Sequence, residues 1–162
     1  MGVQLPLEAY VCDRMAKTAY ASIGALGLIV NGSKIAIGKK GEKKHALGLE
    51  NKWHFPGGIM DVGENIEQTA VREVKEELGI DVEVDDLIDV NVVFVPEWKG
   101  KAGFAVMAWY TCVPKSVDLE PADDIVDAKW VDIRDLDRYL MPHMKDIVPG
   151  RCREYLRSLG WK

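Results

Sequence analysis

Residues 58–80 read Gly58-Ile-Met-Asp-Val-Gly-Glu-Asn-Ile-Glu-Gln-Thr-Ala-Val-Arg-Glu-Val-Lys-Glu-Glu-Leu-Gly-Ile80, which predicts a glycine loop running into one short helix. Asn65 is a typical helix N-cap, and Gln68 three residues later completes a capping-box pattern. Gly79 is the residue type that ends helices in a left-handed turn. Between these caps, an apolar stripe at helical spacing predicts the buried face: Ile66, Ala70, Val71, Val74 and Leu78.

Glutamates crowd another part of the same helix. At 100° per residue, Glu73, Glu76 and Glu77 fall within an arc of about 100° beside the apolar stripe. Glu64 adds a fourth carboxylate from the loop before the helix. Like charges three and four residues apart destabilise a helix, so this cluster predicts a bound cation. Ligand sets made only of oxygen select Mg²⁺, Mn²⁺ or Ca²⁺, and Mg²⁺ usually completes its shell with waters and substrate phosphates.

The spacing of these residues resembles the Nudix box. Glu64 follows Gly58 after five residues, and after seven more comes Arg72-Glu73-Val74-Lys75-Glu76-Glu77-Leu78-Gly79-Ile80, so every specified position of that motif is filled. The similarity covers about residues 19–140. It implies an α+β fold, the Nudix-type α/β/α sandwich with a mixed β-sheet. It also implies an enzyme that hydrolyses a diphosphate linked to another moiety, using water and a divalent metal.

The resemblance further implies roles for individual residues. The expected metal ligands are Glu64, Glu73, Glu76, Glu77 and the backbone carbonyl of Gly58. Mg²⁺ is the expected cofactor, with Mn²⁺ as the alternative. Neutralising Glu76 or Glu77 is expected to abolish most activity. Through relief of like-charge repulsion, it is also expected to leave the metal-free stability unchanged or raised.

Two further roles complete the expected catalytic group. Arg72 is expected to orient the carboxylates through charge-assisted hydrogen bonds. The box contains no histidine, so a carboxylate is expected to act as the general base. The candidates are Glu73 and, in the acidic loop of residues 114–127, Asp124 or Glu120.

Substrate contacts are predicted outside the helix, at Trp53, Phe55, Pro96, Trp98 and Lys40. Trp53 either covers the core or stacks on a base. Lys40 belongs to a predicted polar loop, Lys39–Glu50, whose lysines are either solvated or meet the substrate's phosphates.

The substrate remains open between two branches of the family. Trp53-x-Phe55-Pro56-Gly57-Gly58 resembles the MutT-like branch, which cleaves nucleoside triphosphates to a monophosphate and pyrophosphate, and this class is slightly favoured. Pro96, sixteen residues past Ile80, resembles the branch that cleaves ADP-ribose, so ADP-ribose or a nucleotide sugar is the alternative. A non-catalytic, nucleotide-sensing Nudix domain is the alternative of another class, and the intact box argues against it.

Bulk properties favour one domain over residues 1–162, with residues 1–18 as an amino-terminal extension. A net charge of −5 argues against nucleic-acid and membrane-surface binders, which leaves a small nucleotide as the expected partner. Cys12, Cys112 and Cys152 are odd in number and far apart, which predicts reduced thiols in a cytoplasmic protein. A homodimer is a further possibility for this family.

Strands are predicted before and after the central helix along the chain, and two short helices follow the last strand. The strand before the helix, Ala19–Val30, is expected to turn at Asn31-Gly32, and its part Leu26–Val30 is expected to be buried on both faces. The remaining elements are predicted as strands Lys34–Gly38, Asp81–Val84, Leu87–Phe94, Gly103–Val113 and Lys129–Val131, with helices following Asp132 and Pro149.

Overall fold

The computed structural model describes residues 20–43, 45, 47–98, 100–140 and 147–162, except for the side chains of residues 96–98. The predicted extension over residues 1–18, and Cys12 within it, lie outside the described residues. Within the described part, no helix has the length and apolar character needed to cross a bilayer.

The described chain forms seven strands, two α-helices and one 3₁₀ helix. In chain order these are β1 (Tyr20–Asn31), β2 (Lys34–Lys40), β3 (Trp53–His54), β4 (Gly57–Ile59), α1 (Ile66–Leu78), β5 (Val82–Trp98), β6 (Lys101–Pro114), β7 (Ile125–Asp132), the 3₁₀ helix (Ile133–Arg138) and α2 (Gly150–Ser158).

All seven strands belong to one mixed sheet, whose main path runs β3-β2-β1-β6-β5. The central pair β1 and β6 is parallel, with Tyr20 opposite Gly103. The other pairs are antiparallel; β4 joins β1 at Gly24 to Leu26, and β7 joins β2. This arrangement places β4, and the box loop that follows it, beside the centre of the sheet.

The two faces of the sheet carry separate apolar cores. Leu28 and Ile29 are consecutive and fully buried, yet they belong to different clusters. Ile29 packs with Val74 and Leu78 of α1 on one face, whereas Leu28 packs with residues of the 3₁₀ helix and α2 on the other. The predicted α/β/α sandwich with a mixed sheet is therefore confirmed. Within the stretch Leu26–Val30, the expected burial on both faces holds for Leu28 and Ile29.

Several element boundaries differ from the sequence-based expectations. The Asp85-Asp86 pair does not separate two strands, because β5 continues through it with a register shift between Val84 and Asp86. The Asp86 backbone N–H donates to the Thr111 hydroxyl on β6 at 3.1 Å, which replaces a ladder bond at this bulge. The hairpin turn is formed by Gly32 and Ser33, one residue later than predicted, since Asn31 still pairs with Lys34.

The loops are shorter than the sequence predicts. The connection between the predicted strands Leu87–Phe94 and Gly103–Val113 is shorter than their predicted ends imply, because β5 extends to Trp98 and β6 begins at Lys101. The last strand spans Ile125–Asp132 rather than three residues. Asp132 caps the next helix as predicted, by accepting a hydrogen bond from the Arg134 backbone, but that helix is of the 3₁₀ type.

Candidate active site

The box loop and helix α1 have the predicted ends. The Asn65 side chain accepts from the Gln68 backbone at 2.9 Å, and the Gln68 side chain accepts from the Asn65 backbone at 2.8 Å, so the capping box is complete. Gly79 ends the helix with φ 74°, a left-handed conformation that favours glycine. These caps define the two ends of α1 and therefore the positions of its glutamates relative to the box loop.

Arg72 donates hydrogen bonds to three of the four box carboxylates, which together form the carboxylate cluster of this site. Its Nε donates to Glu64 at 2.6 Å, and its Nη1 donates to Glu73 at 2.8 Å and to Glu76 at 3.0 Å. Its Nη2 donates to Glu64 and to the Ile59 carbonyl, both at 3.0 Å. One guanidinium therefore gathers three carboxylates and ties them to the box loop, as the sequence predicts for this residue.

Glu64 is held in place by the loop as well as by Arg72. Its carboxylate accepts from the Asp61 backbone at 3.1 Å and from the Thr69 hydroxyl at 3.0 Å. The hydrogen bonds from Arg72, followed by the one from Asp61, lower the pKa of Glu64 to about 2. Glu64 is consequently a fixed anion whose contacts are all within the box.

Glu77 lies apart from its neighbours on α1, inside the protein, with 1% of its surface exposed. Its carboxylate accepts from the Gly57 backbone at 3.0 Å and from the Lys40 ammonium at 2.7 Å. The same ammonium contacts Asp124 at 2.5 Å. Burial raises the pKa of Glu77 to about 7 against the opposing pull of Lys40. The carboxylates favour the charged ammonium, and the pKa of Lys40 is raised despite its burial.

The position of Lys40 corrects two expectations. It lies at the end of strand β2 rather than in a polar loop, and it is 7% exposed rather than solvated. Strand alternation explains this, because Ala36, Gly38 and Lys40 share the face that meets α1. Its role as a phosphate contact stays a prediction, and its ammonium already bridges Glu77 and Asp124.

The pairing with Lys40 changes the prediction for the stability of Glu77 variants. Repulsion among free carboxylates was the premise. In the structure, Arg72 pairs with three of the box carboxylates and Lys40 pairs with Glu77. Glu77→Gln removes the charge that the buried ammonium faces, so the metal-free protein is expected to lose stability. Glu76 is different, because its side chain is 51% exposed and its hydrogen bond comes from Arg72.

The donor set around Gly58 fits a hard divalent cation. A side chain at Gly58 would lie within 2.4–2.6 Å of the Glu73 carboxylate, so the glycine backbone and this carboxylate are in close approach. Glu73, Glu76 and Glu77 supply further carboxylate oxygens from one helix, and oxygen ligands suit Mg²⁺ or Mn²⁺. Among the described residues, no three acidic, histidine or cysteine side chains are already arranged as a ligand shell.

The predicted general bases lie on α1 itself or in the acidic loop that packs against its carboxyl end. Desolvation raises the pKa of Glu73, and its oxygen is hydrogen-bonded by Arg72. Asp124 reaches the cluster through Lys40. Glu120 is brought near by its backbone, whose N–H donates to the Leu78 carbonyl at 2.9 Å. The acidic loop thus packs against the box helix, although nothing in its sequence spacing predicts that contact.

A cavity of about 410 Å³ adjoins the box loop. Its wall includes Phe55, Gly57 and Gly58, and most of the remaining lining is apolar, with several side chains from β1, β5 and β6. The polar side chains in this lining include Ser22, Lys40, His45 and His54.

Of the aromatic residues predicted to bind substrate, Phe55 lines this cavity and Trp53 does not. Phe55 is fully buried in its wall and packs edge-on against Trp109. Trp53 is not part of the wall; it packs against Tyr139 at 5.5 Å between ring centroids, with the Lys129 ammonium 4.8 Å from its ring. Its place at the edge of the core favours the structural interpretation over base stacking. The side chains of Pro96 and Trp98 lie outside the described residues.

His54 is a candidate site residue that the sequence analysis did not identify. It is 3% exposed, and its Nδ1 lies 2.5 Å from the Phe55 carbonyl oxygen. Its Nε2 is buried and has no hydrogen-bond partner among the described residues. Burial, with added repulsion from Lys40, lowers the pKa of His54 to about 3. No alternation in the sequence marks this residue, because His54 and its neighbour Phe55 are both buried and both line the cavity.

Comparison with known families supports the resemblance. The family model described as NUDIX domain matches residues 21–150. Among curated relatives, ADP-ribose pyrophosphatase of Methanocaldococcus jannaschii is 25% identical over 88% of this chain and 76% of its own length. Nudix hydrolase 7 of Arabidopsis thaliana is 29% identical over 88% of this chain and 52% of its own. Several relatives are longer, and the match spans 22% of putative nudix hydrolase 1 of Caenorhabditis elegans.

Solved structures share the fold. A NUDIX hydrolase from Nitrosomonas europaea superposes with a TM-score of 0.65 at 18% identity, covering 86% of this chain and 73% of that one. An ADP-ribose pyrophosphatase from Streptococcus suis gives 0.61 at 22% identity, covering 87% and 96%. A MutT NUDIX hydrolase from Burkholderia pseudomallei gives 0.61 at 22% identity, covering 78% and 95%. At these identities the likeness establishes the fold alone.

Proposed function

The chain belongs to the Nudix family, and on this premise we propose that it hydrolyses the diphosphate linkage of a nucleotide with the help of Mg²⁺ or Mn²⁺. The observation that carries the proposal is the set of box carboxylates on and before α1, three of which Arg72 gathers and one of which, Glu73, closely approaches the Gly58 backbone. A structural role alone would not need so many carboxylates on one short helix, because their mutual repulsion has to be offset by paired cations.

In the proposed site, Glu73, Glu76 and Glu77 hold the metal, with the Gly58 carbonyl and Glu64 as further oxygen donors. The metal supplies charge stabilisation for the diphosphate and lowers the pKa of the attacking water. Arg72 keeps Glu64, Glu73 and Glu76 in fixed positions through hydrogen bonds of 2.6–3.0 Å. Preorganisation of this kind means that little rearrangement is needed when the substrate binds.

The protein must also accept a proton from the attacking water. Glu73 is the first candidate, because its carboxylate is close to the Gly58 backbone and desolvation raises its pKa toward the range useful to a base. Asp124 is the second, since it joins the cluster through Lys40. In either case Lys40 supplies positive charge close to the place where a diphosphate would bind.

Two substrate classes remain in competition. A nucleoside triphosphate, cleaved to a monophosphate and pyrophosphate, is supported by the Trp53-x-Phe55-Pro56-Gly57-Gly58 pattern. ADP-ribose is supported by the archaeal relative, whose name is ADP-ribose pyrophosphatase and which matches most of this chain. A non-catalytic nucleotide sensor stays the alternative of another class, and the intact box weighs against it.

The test is a product analysis with a matched control. Purified protein with Mg²⁺ or Mn²⁺ is incubated with nucleoside triphosphates, ADP-ribose and nucleotide sugars, and the products are separated by chromatography. Glu76→Gln is expected to lose the activity, whereas Glu67→Gln, an exposed glutamate of the same helix outside the cluster, is expected to keep it. Equal rates in both variants would contradict the proposed site. Tight binding without turnover would favour the sensor.

Cellular context stays a matter of prediction. Cys112 and Cys152 are free and buried, which is compatible with the reducing cytoplasm proposed for the protein. Homodimer formation is likewise a prediction, and analytical ultracentrifugation would test it.

A further inference from the structure

Strand β5 carries apolar side chains on both faces of the sheet, although only one of these faces is covered along much of its length. Val93 and Val95 are buried on the side of the cavity. Val90, Val92 and Phe94 point to the opposite side, and 51%, 62% and 58% of their surfaces are exposed. A sheet face that contacts water ordinarily carries polar side chains. The pattern along β5 therefore indicates that a further layer covers this face.

Neighbouring strands continue the same apolar surface. Val92 is paired with Val106 of β6, and Phe94 is paired with Phe104, whose ring centroid lies 5.8 Å from its own. Val106 is in turn paired with Ile23 of β1, and paired residues point to the same face of a sheet. We call this surface the open sheet face; it consists of Ile23, Val90, Val92, Phe94, Phe104 and Val106, all exposed.

The polar residues of this part of β5 lie on the other face. The Asp89 carboxylate accepts from the Arg151 backbone at 3.1 Å, where α2 begins. Asn91 donates to the Ile147 carbonyl at 3.1 Å and accepts from the Trp109 indole at 2.8 Å. None of the six side chains of the open sheet face carries a charge or a hydrogen-bonding group. Its partner is consequently an apolar surface as well.

The size of the open sheet face suits a second copy of the chain. Side chains of these types that are 36–62% exposed present roughly 500 Å² of apolar surface, which is within the range of the largest patch on a typical monomer. Two such faces in contact would remove about 1,000 Å² from water. With a polar rim, the total reaches the range of stable interfaces, about 1,200–2,000 Å².

Helix α1 leaves room for such a partner. It covers the same side of the sheet farther along the strands, where it packs on Ala25, Ala108 and Tyr110. A facing sheet lies about 10 Å away, and a helix has about the same diameter, so the second sheet would fit beside α1 in one layer.

We propose that the open sheet face is the interface of a homodimer, in which two copies pack these faces together about a twofold axis near Val92. A twofold contact uses the same patch on both copies, so one apolar surface is sufficient. The interface would adjoin the box loop, because the Ile23 carbonyl accepts from the Met60 backbone at 2.9 Å. The proposal is independent of the hydrolytic function, since it concerns the assembly alone.

Analytical ultracentrifugation of the full chain at micromolar concentrations tests the interface. The wild-type protein is expected to be a dimer. Phe94→Asp is expected to raise the dimer dissociation constant at least about 100-fold, because it buries a charge at the centre of an apolar contact. Val113→Asp is the matched control and is expected to keep the dimer. Val113 is 55% exposed on β6, but it lies seven residues from Val106 and therefore on the opposite face.

A second pair of variants tests the interface without relying on an introduced charge. Val92→Cys, in a Cys12→Ser background that leaves the buried Cys112 and Cys152 unchanged, is expected to form a disulfide-linked dimer under mild oxidation, because the axis brings the two copies of this residue together. Val113→Cys in the same background is expected to stay unlinked. Far-ultraviolet circular dichroism checks that each variant is folded.

Three outcomes would overturn the proposal. A wild-type protein that stays monomeric would leave the open sheet face to residues 1–18 or to another protein. A dimer that survives Phe94→Asp, or one that Val113→Asp disrupts equally, would place the contact elsewhere. Failure of Val92→Cys to cross-link in a dimeric protein would exclude the twofold axis. Because sedimentation is measured without substrate, each of these results leaves the hydrolytic proposal intact, and loss of hydrolysis would leave the interface intact.

Discussion

Acidification is expected to destabilise the protein through His54. In the folded protein, burial and the nearby Lys40 ammonium lower the pKa of this ring from 6.5 to about 3. In the unfolded chain the ring binds a proton near its ordinary pKa. Because the folded pKa is the lower one, the contribution of the neutral ring is fully present above pH 6.5 and is lost as the pH falls toward 3.

The size of this effect follows from proton linkage. Between about pH 7 and about pH 5, an unfolded pKa of 6.5 and a folded pKa near 3 give a loss of about 2 kcal/mol from this ring. Glu77, whose folded pKa is raised to about 7, changes the free energy of unfolding in the opposite direction, so the comparison with a variant isolates the contribution of His54. Urea denaturation of metal-free protein, followed by tryptophan fluorescence, measures the free energy at both pH values. His54→Gln removes the titrating ring, so its fall in stability is expected to be smaller than that of the wild type by about this amount.

A second variant controls for simple loss of packing. Phe55→Leu alters the same cavity wall without changing any titratable group, and it is expected to show the full pH-dependent fall of the wild type. If His54→Gln lost as much stability between the two pH values as the wild type, the ring would have to accept a proton freely in the folded state. That result would refute its burial as a neutral group.

Three further substitutions examine the carboxylate cluster. Glu76→Gln is expected to reduce the rate of hydrolysis more than about 100-fold, because it removes a metal ligand. In calorimetry its metal-free melting temperature is expected to be unchanged, because this side chain is half-exposed. Lys40→Met is expected to lower the free energy of unfolding by about 3–5 kcal/mol, since it leaves Glu77 buried without its cation. The double variant Lys40→Met with Glu77→Gln is expected to recover part of the lost stability, and urea titrations measure both values. Arg72→Lys is expected to lower kcat/KM about 10–100-fold, because a single ammonium cannot replace the forked contacts to three carboxylates, and a wild-type rate would contradict that role.

Local patterns predicted helix α1 well because its determinants are local. Asn65, Gln68 and Gly79 form the expected caps, and Ala70, Val74 and Leu78 are buried as the stripe requires. Each of these features depends on residues within a few positions along the chain. Sequence spacing alone was therefore enough to place them.

Boundaries of strands were predicted less well, because strand length depends on the neighbouring strand. Asp85 and Asp86 have the composition of a turn, yet β6 runs beside them and Thr111 bonds to the bulge, so β5 continues. Lys40 has the composition of a loop residue, yet β7 pairs with the end of β2 and keeps it in the sheet. In both cases a partner distant in sequence overrides the local preference.

The sequence by itself determined the box helix, its caps, the face that it buries and the family to which the chain belongs, because these depend on short-range spacing. Only the tertiary structure decided that Arg72 and Lys40 pair with different carboxylates of the cluster, that Asp124 contacts Lys40 and that Trp53 belongs to the edge of the core. It alone also revealed the unpaired His54 nitrogen, since burial and the absence of a partner arise only when distant strands enclose a residue. The sequence shows which charged residues the site contains. The folded sheet determines which of them are buried, which are exposed and which partner each one contacts.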